Sequence, residues 1–476
     1  MSNFLATIYV LALTALSVYG LLGLITLAFY WRHRHDEFPC PPLPAELPAV
    51  TVQLPIYNER FVIDRLLKAA VSLEYPAHKL QIQLVDDSTD DTREHAAKMV
   101  AHYKRKGVNI QLVHRDNRQG YKAGALQNAL PLTTGEFIAI FDADFQPASD
   151  FLLKTIPHFS ENPRLGMIQT RWGHLNADDS PLTAAQAIAL DKHFAMEQTV
   201  RHRANMFPKF NGAGGIWRRQ CMIDSGGWED DTVCEDLCLS TRAILQGWEF
   251  RFLNNVTAPA ELPTSIAAYK NQQARWAKGS SQCLVKFGRP ILQDKKQTLP
   301  ARLYALLSMS AYSTHLLVIT LLLLQLPLIL LDYHFSAKMI LFSIAGIGQP
   351  LLFILAQQVL YSDWQQRLRH FPTMLLVAIG IGPSTSRAIL QAFLAKEHPF
   401  VRTPKRGGMR INTAVLRHRY RLQFDWIVII EIALAFYAMC GIYFAVRSNN
   451  IGPLFFLVTC AVGMSYVAFL TLRELH

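Results

Sequence analysis

From Ala49 onwards the chain alternates short apolar runs with longer segments whose apolar positions return every three or four residues. VTVQLP is followed by NERFVIDRLLKAAVSL, IQLVDD by DDTREHAAKMVAHYKRKG, and IQLVHR by a stretch of helical spacing from Lys122; FIAIFDAD closes the series. Strand, loop and amphipathic helix in repetition predict an α/β domain, a parallel sheet with helices on both faces. In such sheets ligands gather beyond the carboxyl ends of the strands. The polar residues just after each strand therefore carry the chemistry.

On either side of this domain the pattern changes to apolar runs long enough to span a bilayer. The first, Phe4–Trp31, is closed by the basic WRHRH and lacks a small-residue cleavage site, so it reads as a retained anchor. Residues 304–332 and 338–361 form one pair, and 426–445 and 452–472 another. The stretch 371–396 begins apolar, but Pro383, Ser384, Thr385, Ser386 and Arg387 interrupt it. The helix at 184–203 is amphipathic and is expected against the inner leaflet or the spans.

Charge separates the possibilities for 371–396. Lys396–Arg421 carries eight Lys or Arg against one acid, Glu397. The positive-inside rule places that segment in the cytoplasm. If the domain at 49–300 is also cytoplasmic, a full span at 371–396 would expose those cations outside. An interfacial or re-entrant helix is the expectation, giving five spans, N-terminus out and C-terminus in, with six as the alternative. The chain then divides into an N-terminal membrane helix (1–35), a cytoplasmic α/β domain (49–295), two spans (300–362), an interfacial helix and basic loop (363–423) and two further spans (424–476).

Composition agrees with that alternation, at 51% apolar and 17% charged. The net charge of +11 belongs mostly to the cytoplasmic face and to contact with anionic membrane lipids, with a share left for an anionic substrate. Seven scattered cysteines without a CxxC argue against a disulfide framework and against zinc. No nucleic-acid partner is expected.

The acids fall where the fold predicts. Asp86 and Asp87 follow one strand; Asp142 and Asp144 follow another. Each pair alone is also what a helix cap or turn would use. An Asp-x-Asp at a strand end offers hard oxygen ligands suited to Mg2+ or Mn2+ carried on a diphosphate. Lys122 adds a cation near the same edge. Glu235-Asp236 in TVCEDLCL is the candidate carboxylate for deprotonating an acceptor hydroxyl. The glycines of NGAGGIW are a poor signal of a phosphate loop. Inside the apolar runs, Glu431 and His315 are ionisable: they line a polar path, or Glu431 reaches the interface.

Four motifs now stand in order: VQLPIYNE with VDDSTDDT, FDADF, CEDL and QQARW. The series resembles the membrane-embedded, inverting family 2 glycosyltransferases, with their D, DxD, (T/E)ED and QxxRW. VQLPIYNER, RDNRQGYKAGALQNAL and FNGAGGIWRR look most like the cellulose synthase-like A mannan synthases and their bacterial relatives. The resemblance implies a GT-A domain, Rossmann-like and mostly parallel, combined with an α-helical transmembrane region. It implies that Pro55, Tyr57, Glu59, Asp86 and Asp87 hold the nucleoside, that Lys122 faces the diphosphate, and that Asp142 and Asp144 serve the metal and ribose. Asp236 matches the general base, with Glu235 or Glu229 as neighbours that would raise its pKa. Gln272, Arg275 and Trp276 match the motif that places the acceptor sugar and a cation near the diphosphate. PFVRTPKRGG is similar to a gating loop at Phe400, Thr403 and Lys405, with Arg402 where that family has Val.

The reading implied is an inverting, processive transferase taking hexose from GDP-mannose, GDP-glucose or UDP-glucose to a β-linked polysaccharide exported through its own spans. A lipid glycosyltransferase shares the same motifs and is the alternative. A catalytically decayed membrane scaffold or channel is the non-enzymatic one. The expected partners are a nucleotide-sugar donor, a polysaccharide or lipid acceptor and membrane lipids, in the plasma or inner membrane.

Overall fold

The computed structural model describes residues 2–336, 339–394 and 425–475. Among the described residues seven strands form: β1 (Val50–Ile56), β2 (Leu80–Asp86), β3 (Ile110–His114), β4 (Phe137–Ile140), β5 (Leu165–His174), β6 (Gly215–Arg218) and β7 (Glu249–Ala260). They form one sheet in the order β3-β2-β1-β4-β6-β5-β7. The first four run parallel, as the alternation predicts. Every residue of β1, β2 and β4 is buried, which explains why they read as near-continuous apolar runs.

β6 departs from the parallel expectation, running antiparallel to both β4 and β5. Its reversal means that the chain enters β6 from the edge where β1, β2 and β4 end. Residues Asn211–Gly214, just before it, are thereby delivered to the carboxyl edge of the sheet. A glycine-rich run that the sequence reading set aside becomes part of the site's wall.

Among the described residues, five helices are long and apolar enough to cross a membrane: Ser2–His33, Ser313–Leu330, Leu341–Leu360, Ile427–Arg447 and Leu454–Leu475. This is a membrane protein. The ambiguous stretch forms two helices, Trp364–Gly380 and Gly382–Phe393, meeting at 44°. Pro383 opens the second of them, where its missing N–H and fixed φ break a continuous helix. Phe400, Arg402, Thr403 and Lys405 lie outside the described residues, as does most of the basic stretch around them.

Domain and spans share a core. Tyr30 of the first span, Met196 and Val200 of the domain, and Tyr304 and Leu352 of the membrane region pack in one buried cluster. The expected amphipathic helix is built as Pro181–Lys192, a π-helical turn His193–Gln198, and Thr199–Arg203. It lies against the spans. Asp191, 1% exposed, accepts from Gln357 of the Leu341–Leu360 span at 2.9 Å and pairs with His174 of β5, also at 2.9 Å.

A second joint fixes the long helix Ile266–Gln293, which carries QQARW. Glu474, at the end of the last span, accepts the backbone N–H groups of Ile266 and Ala267 at 2.6 and 3.1 Å. Lys270, one turn on, pairs with Glu431 at 2.6 Å, their side chains 5% and 0% exposed. Glu431 is fully buried and ties the α/β domain's helix to the bundle, a role that neither sequence expectation for it named. Lys270→Met leaves that carboxylate buried and unpaired, an expected loss of about 3–5 kcal/mol. A thermal unfolding series on the purified protein measures it, with Lys270→Met/Glu431→Leu recovering most of the loss.

Candidate active site

The loops after β1 and β2 form one lip. β4 pairs with β1 only as far as Gln53, so Pro55, two residues on, stands where that neighbour needs no N–H from it. Asn58 has φ +55; its side chain accepts from Thr89 N at 2.8 Å and its own N–H donates to Ser88 Oγ at 2.9 Å. Tyr57 and the buried Glu59 are carried on this lip. Asp86 and Asp87 part company there. Asp86 is wholly buried, accepting from Ser88 N at 2.9 Å and meeting His114 Nδ1 at 3.0 Å. It braces the lip from within and does not face a nucleoside, contrary to the sequence expectation. Asp87 takes a bidentate bond from Arg115, both contacts at 2.7 Å.

Arg115 was not singled out by sequence. Its fork also donates to the Gln119 and Tyr121 carbonyls at 2.7 Å each, tying Asp87 to the loop that presents Lys122. Such planar, two-point recognition is specific to arginine. Arg118 from the same loop lies over the Tyr57 ring, 3.5 Å from its centroid. Tyr57 therefore presents a cation-covered face at the position expected to meet the nucleoside.

Beyond the lip the charges converge. Lys122 Nζ meets Asp142 Oδ1 at 2.6 Å and Glu235 Oε1 at 3.7 Å, and donates to the Gly212 carbonyl at 3.0 Å. Burial works against the Lys122 charge, yet Asp142 and Glu235 outweigh it and its pKa is raised. Burial raises Asp142; Lys122 opposes the shift and Asp144 adds to it. Asp142 nevertheless keeps 36% of its side chain accessible, while Asp144 is buried. An ammonium held among these carboxylates marks a place where a cation is stable. Two carboxylates that leave the remaining positions to phosphate and water suit a Mg2+ or Mn2+ ion brought with a diphosphate.

Asp236 lies across Gly212 from Lys122. Its pKa is raised to about 6, by burial first and by Glu235 beside it second, while the Leu237 N–H, Lys122 and Lys209 restrain the shift. Glu229, the other neighbour expected from sequence, is elsewhere. It pairs with Arg242 at 3.2 Å and with Lys286 at 2.6 Å. Gly212 has φ +85, and a Cβ on it would stand 3.1 Å from Asp236 Oδ2. Only glycine gives the backbone this turn while leaving the carboxylate its space.

The helix Ile266–Gln293 closes the far side. Gln272, Arg275 and Trp276 are each partly accessible, and part of the indole packs against the core that holds Cys234 and Leu237. Gly279 sets the approach, since a Cβ there would fall 2.2 Å from Cys234 Sγ and 2.9 Å from Cys234 N. Gly279→Ala must push the helix away from the loop bearing Asp236. We expect turnover to fall on the order of 10²-fold, with about 1–3 kcal/mol of stability lost, read by initial rates and thermal unfolding of one preparation.

Among the described residues the compact set of possible metal ligands is another one, Glu229, Asp231 and Cys238. Lys286 fills it, meeting Glu229 and Asp231 at 2.6 and 2.5 Å. It serves as a buttress under the Asp236 helix.

Comparison with known proteins adds three findings. Residues 48–279 match the family described as glycosyltransferase like family 2. The chain is 42% identical over 261 residues to glucomannan 4-beta-mannosyltransferase 1 of Cyamopsis tetragonoloba, covering 54% of this chain and 50% of that protein. It is 40% identical over 265 residues to glucomannan 4-beta-mannosyltransferase 9 of Arabidopsis thaliana, covering 55% and 50%. The chain thus spans about half the length of the curated relatives it matches. A mannosyltransferase from Pyrobaculum calidifontis, solved with GDP-Man and Mn2+, superposes with a TM-score of 0.56 at 22% identity, over 83% of this chain and 100% of that one. That likeness is one of fold.

Proposed function

Because residues 48–279 match the family described as glycosyltransferase like family 2, we propose that the chain is an inverting, processive hexosyltransferase. It takes a sugar from a nucleotide sugar and adds it to a growing β-linked polysaccharide. The observation that carries this reading is the half-buried Asp236, its carboxyl raised to about 6, facing the Lys122–Asp142 pair across Gly212. GDP-mannose is the donor favoured, because the relatives matched at about 40% identity are named as glucomannan mannosyltransferases. The catalytic domain faces the cytoplasm, and the polymer leaves between the spans that begin near Ser313.

Tyr57 and Asp87 hold the nucleoside on the lip that Arg115 ties together. Asp142 and Asp144 would hold a divalent ion brought with the diphosphate, and Lys122, now paired with Asp142, would face the phosphate oxygens. When bound, the ion supplies a Lewis acid that stabilises the departing nucleoside diphosphate. Trp276 supports the acceptor sugar by its face, and Asp236 accepts the proton of the attacking hydroxyl. That oxygen bonds to the anomeric carbon from the side opposite the diphosphate as the carbon–oxygen bond to phosphate breaks. Configuration is inverted in this single displacement.

The base must be ionised to act. Transfer is therefore expected to fall about tenfold for each pH unit below about 6 and to level off above it. A kcat/KM–pH profile on purified protein measures this, and a flat profile from pH 5 to 8, as a choice of test range (~3 units), contradicts the role of Asp236. Donor identity is tested by a panel of GDP and UDP sugars with linkage determination of the product. Label found only in organic-soluble glycolipid would assign a lipid acceptor instead.

A further inference from the structure

A small cavity of about 20 Å³ lies where the Asp236 helix Glu235–Leu245, the Trp276 helix Ile266–Gln293 and the helix Leu299–Met309 meet. Thr241 lines it from the first, Ser280 from the second and Ser308 from the third. The remaining wall comes from the segment ahead of Asn211, which adds Arg201 and Lys209. A volume of that size takes a water-sized particle. It is far too small for a sugar ring or a nucleotide.

Two cations share this space, and no carboxylate among the described residues lines it. Arg201 is 5% exposed. Its Nη1 reaches the Phe207 carbonyl at 3.4 Å and its guanidinium stands 5.1 Å from the Tyr304 ring centroid, while Nε has no partner among the described residues. Lys209 is partly accessible and makes no ion pair among them. Burial, and Arg201 after it, lower the Lys209 pKa to about 8, against the pull of Glu197, Asp236 and Cys234. Glu197 is itself engaged by Lys192 and His193. Two adjacent positive charges without a counter-charge in contact are costly to desolvate.

The hydroxyls differ in what they can offer. Thr241 donates to the Leu237 carbonyl at 2.7 Å and Ser308 to the Tyr304 carbonyl at 2.6 Å. Their protons are therefore committed within their own helices. Ser280 donates to no group among the described residues. The donors that remain for a ligand are Arg201 Nε, the Lys209 ammonium and the Ser280 hydroxyl.

We propose that this cavity binds one small monovalent anion of the chloride class, held by Arg201, Lys209 and Ser280. A spherical ion accepts from donors in any direction, whereas a phosphate presents four oxygens to three donors in too little room. A water would take the hydrogen bonds and leave both charges uncompensated. The bound ion joins the segment ahead of Gly212, the helix of Asp236 and the helix of Trp276. It touches no substrate and braces the base's helix.

The test uses the full chain in lipid nanodiscs without nucleotide sugar, so its outcome is independent of the transferase reading. Sodium chloride is compared with sodium gluconate at one ionic strength, which removes general screening. Chloride is expected to raise the unfolding midpoint of the parent by about 2–4 °C, saturably, as a ligand bound to the folded state does. Lys209→Met and Ser280→Ala should each lose most of that rise, and Lys209→Arg should keep it. In crystals of the parent, bromide should give an anomalous peak between Arg201 and Lys209. Equal parent midpoints in the two salts overturn the site, as does a chloride rise kept in full by Lys209→Met or bromide found only elsewhere.

Discussion

Asp236→Asn is expected to reduce glycosyl transfer by about 10²–10⁴-fold, the range that a positioned general base contributes. The amide keeps the shape of the carboxylate, so the space beside Gly212 and the Leu237 N–H bond at 2.8 Å are preserved. What it lacks is a lone pair basic enough to take the acceptor proton. Donor KM should change little, because Asp236 lies across Gly212 from the Lys122 and Asp142 side of the cleft. Initial rates at saturating donor, with the KM measured alongside, check both halves. Undiminished turnover would overturn the base role of Asp236, whereas a parent protein without turnover would point to a scaffold or channel with a decayed domain.

The second large effect is expected at the opposite wall. Asp142→Ala and Asp144→Ala should each cost several kcal/mol of transition-state stabilisation, about 10²–10³-fold in kcat/KM at 1.36 kcal/mol per tenfold. Chelator should do the same to the parent protein. The Asp142 change has a further consequence, since it strips Lys122 of its 2.6 Å partner and leaves that ammonium to Glu235 and the Gly212 carbonyl. The free variant should therefore bind a bare nucleoside diphosphate no worse than the parent while losing the stimulation by Mn2+. Isothermal titration with and without the ion reads this, and donor hydrolysis indifferent to chelator in the parent contradicts it.

Much of the fold was legible because it repeats locally. Period-2 and period-3.6 runs gave the first four strands and their helices, and the apolar lengths gave five spans with one broken stretch between them. The acids at strand ends followed from the parallel order of β1, β2 and β4. What escaped depends on partners distant in sequence. Arg115 bonds Asp87 across 28 residues, and Lys270 reaches Glu431 across 161, by subtraction of their numbers. No periodicity marks such pairs. The reversal of β6 is likewise invisible in a four-residue strand, yet it alone places Asn211 and Gly212 beside the base.

Trp276 shows the same limit from the other side. Its motif was legible, but its neighbours were not: Gly279 against Cys234 fixes how near the indole's helix stands to Asp236, and Glu474 and Lys270 fix it to the membrane. The indole is packing in part, and its accessible part is the platform proposed for the acceptor sugar. Part of it enters the core with Leu237, and part remains accessible.

The most direct test is the product made by the purified full chain in nanodiscs from labelled GDP-mannose with Mn2+. An inverting, processive polysaccharide synthase yields β-linked polymer that endo-β-mannanase degrades, with Asp236→Asn making none above background. Label confined to organic-soluble glycolipid, or an α-linked product, would contradict it.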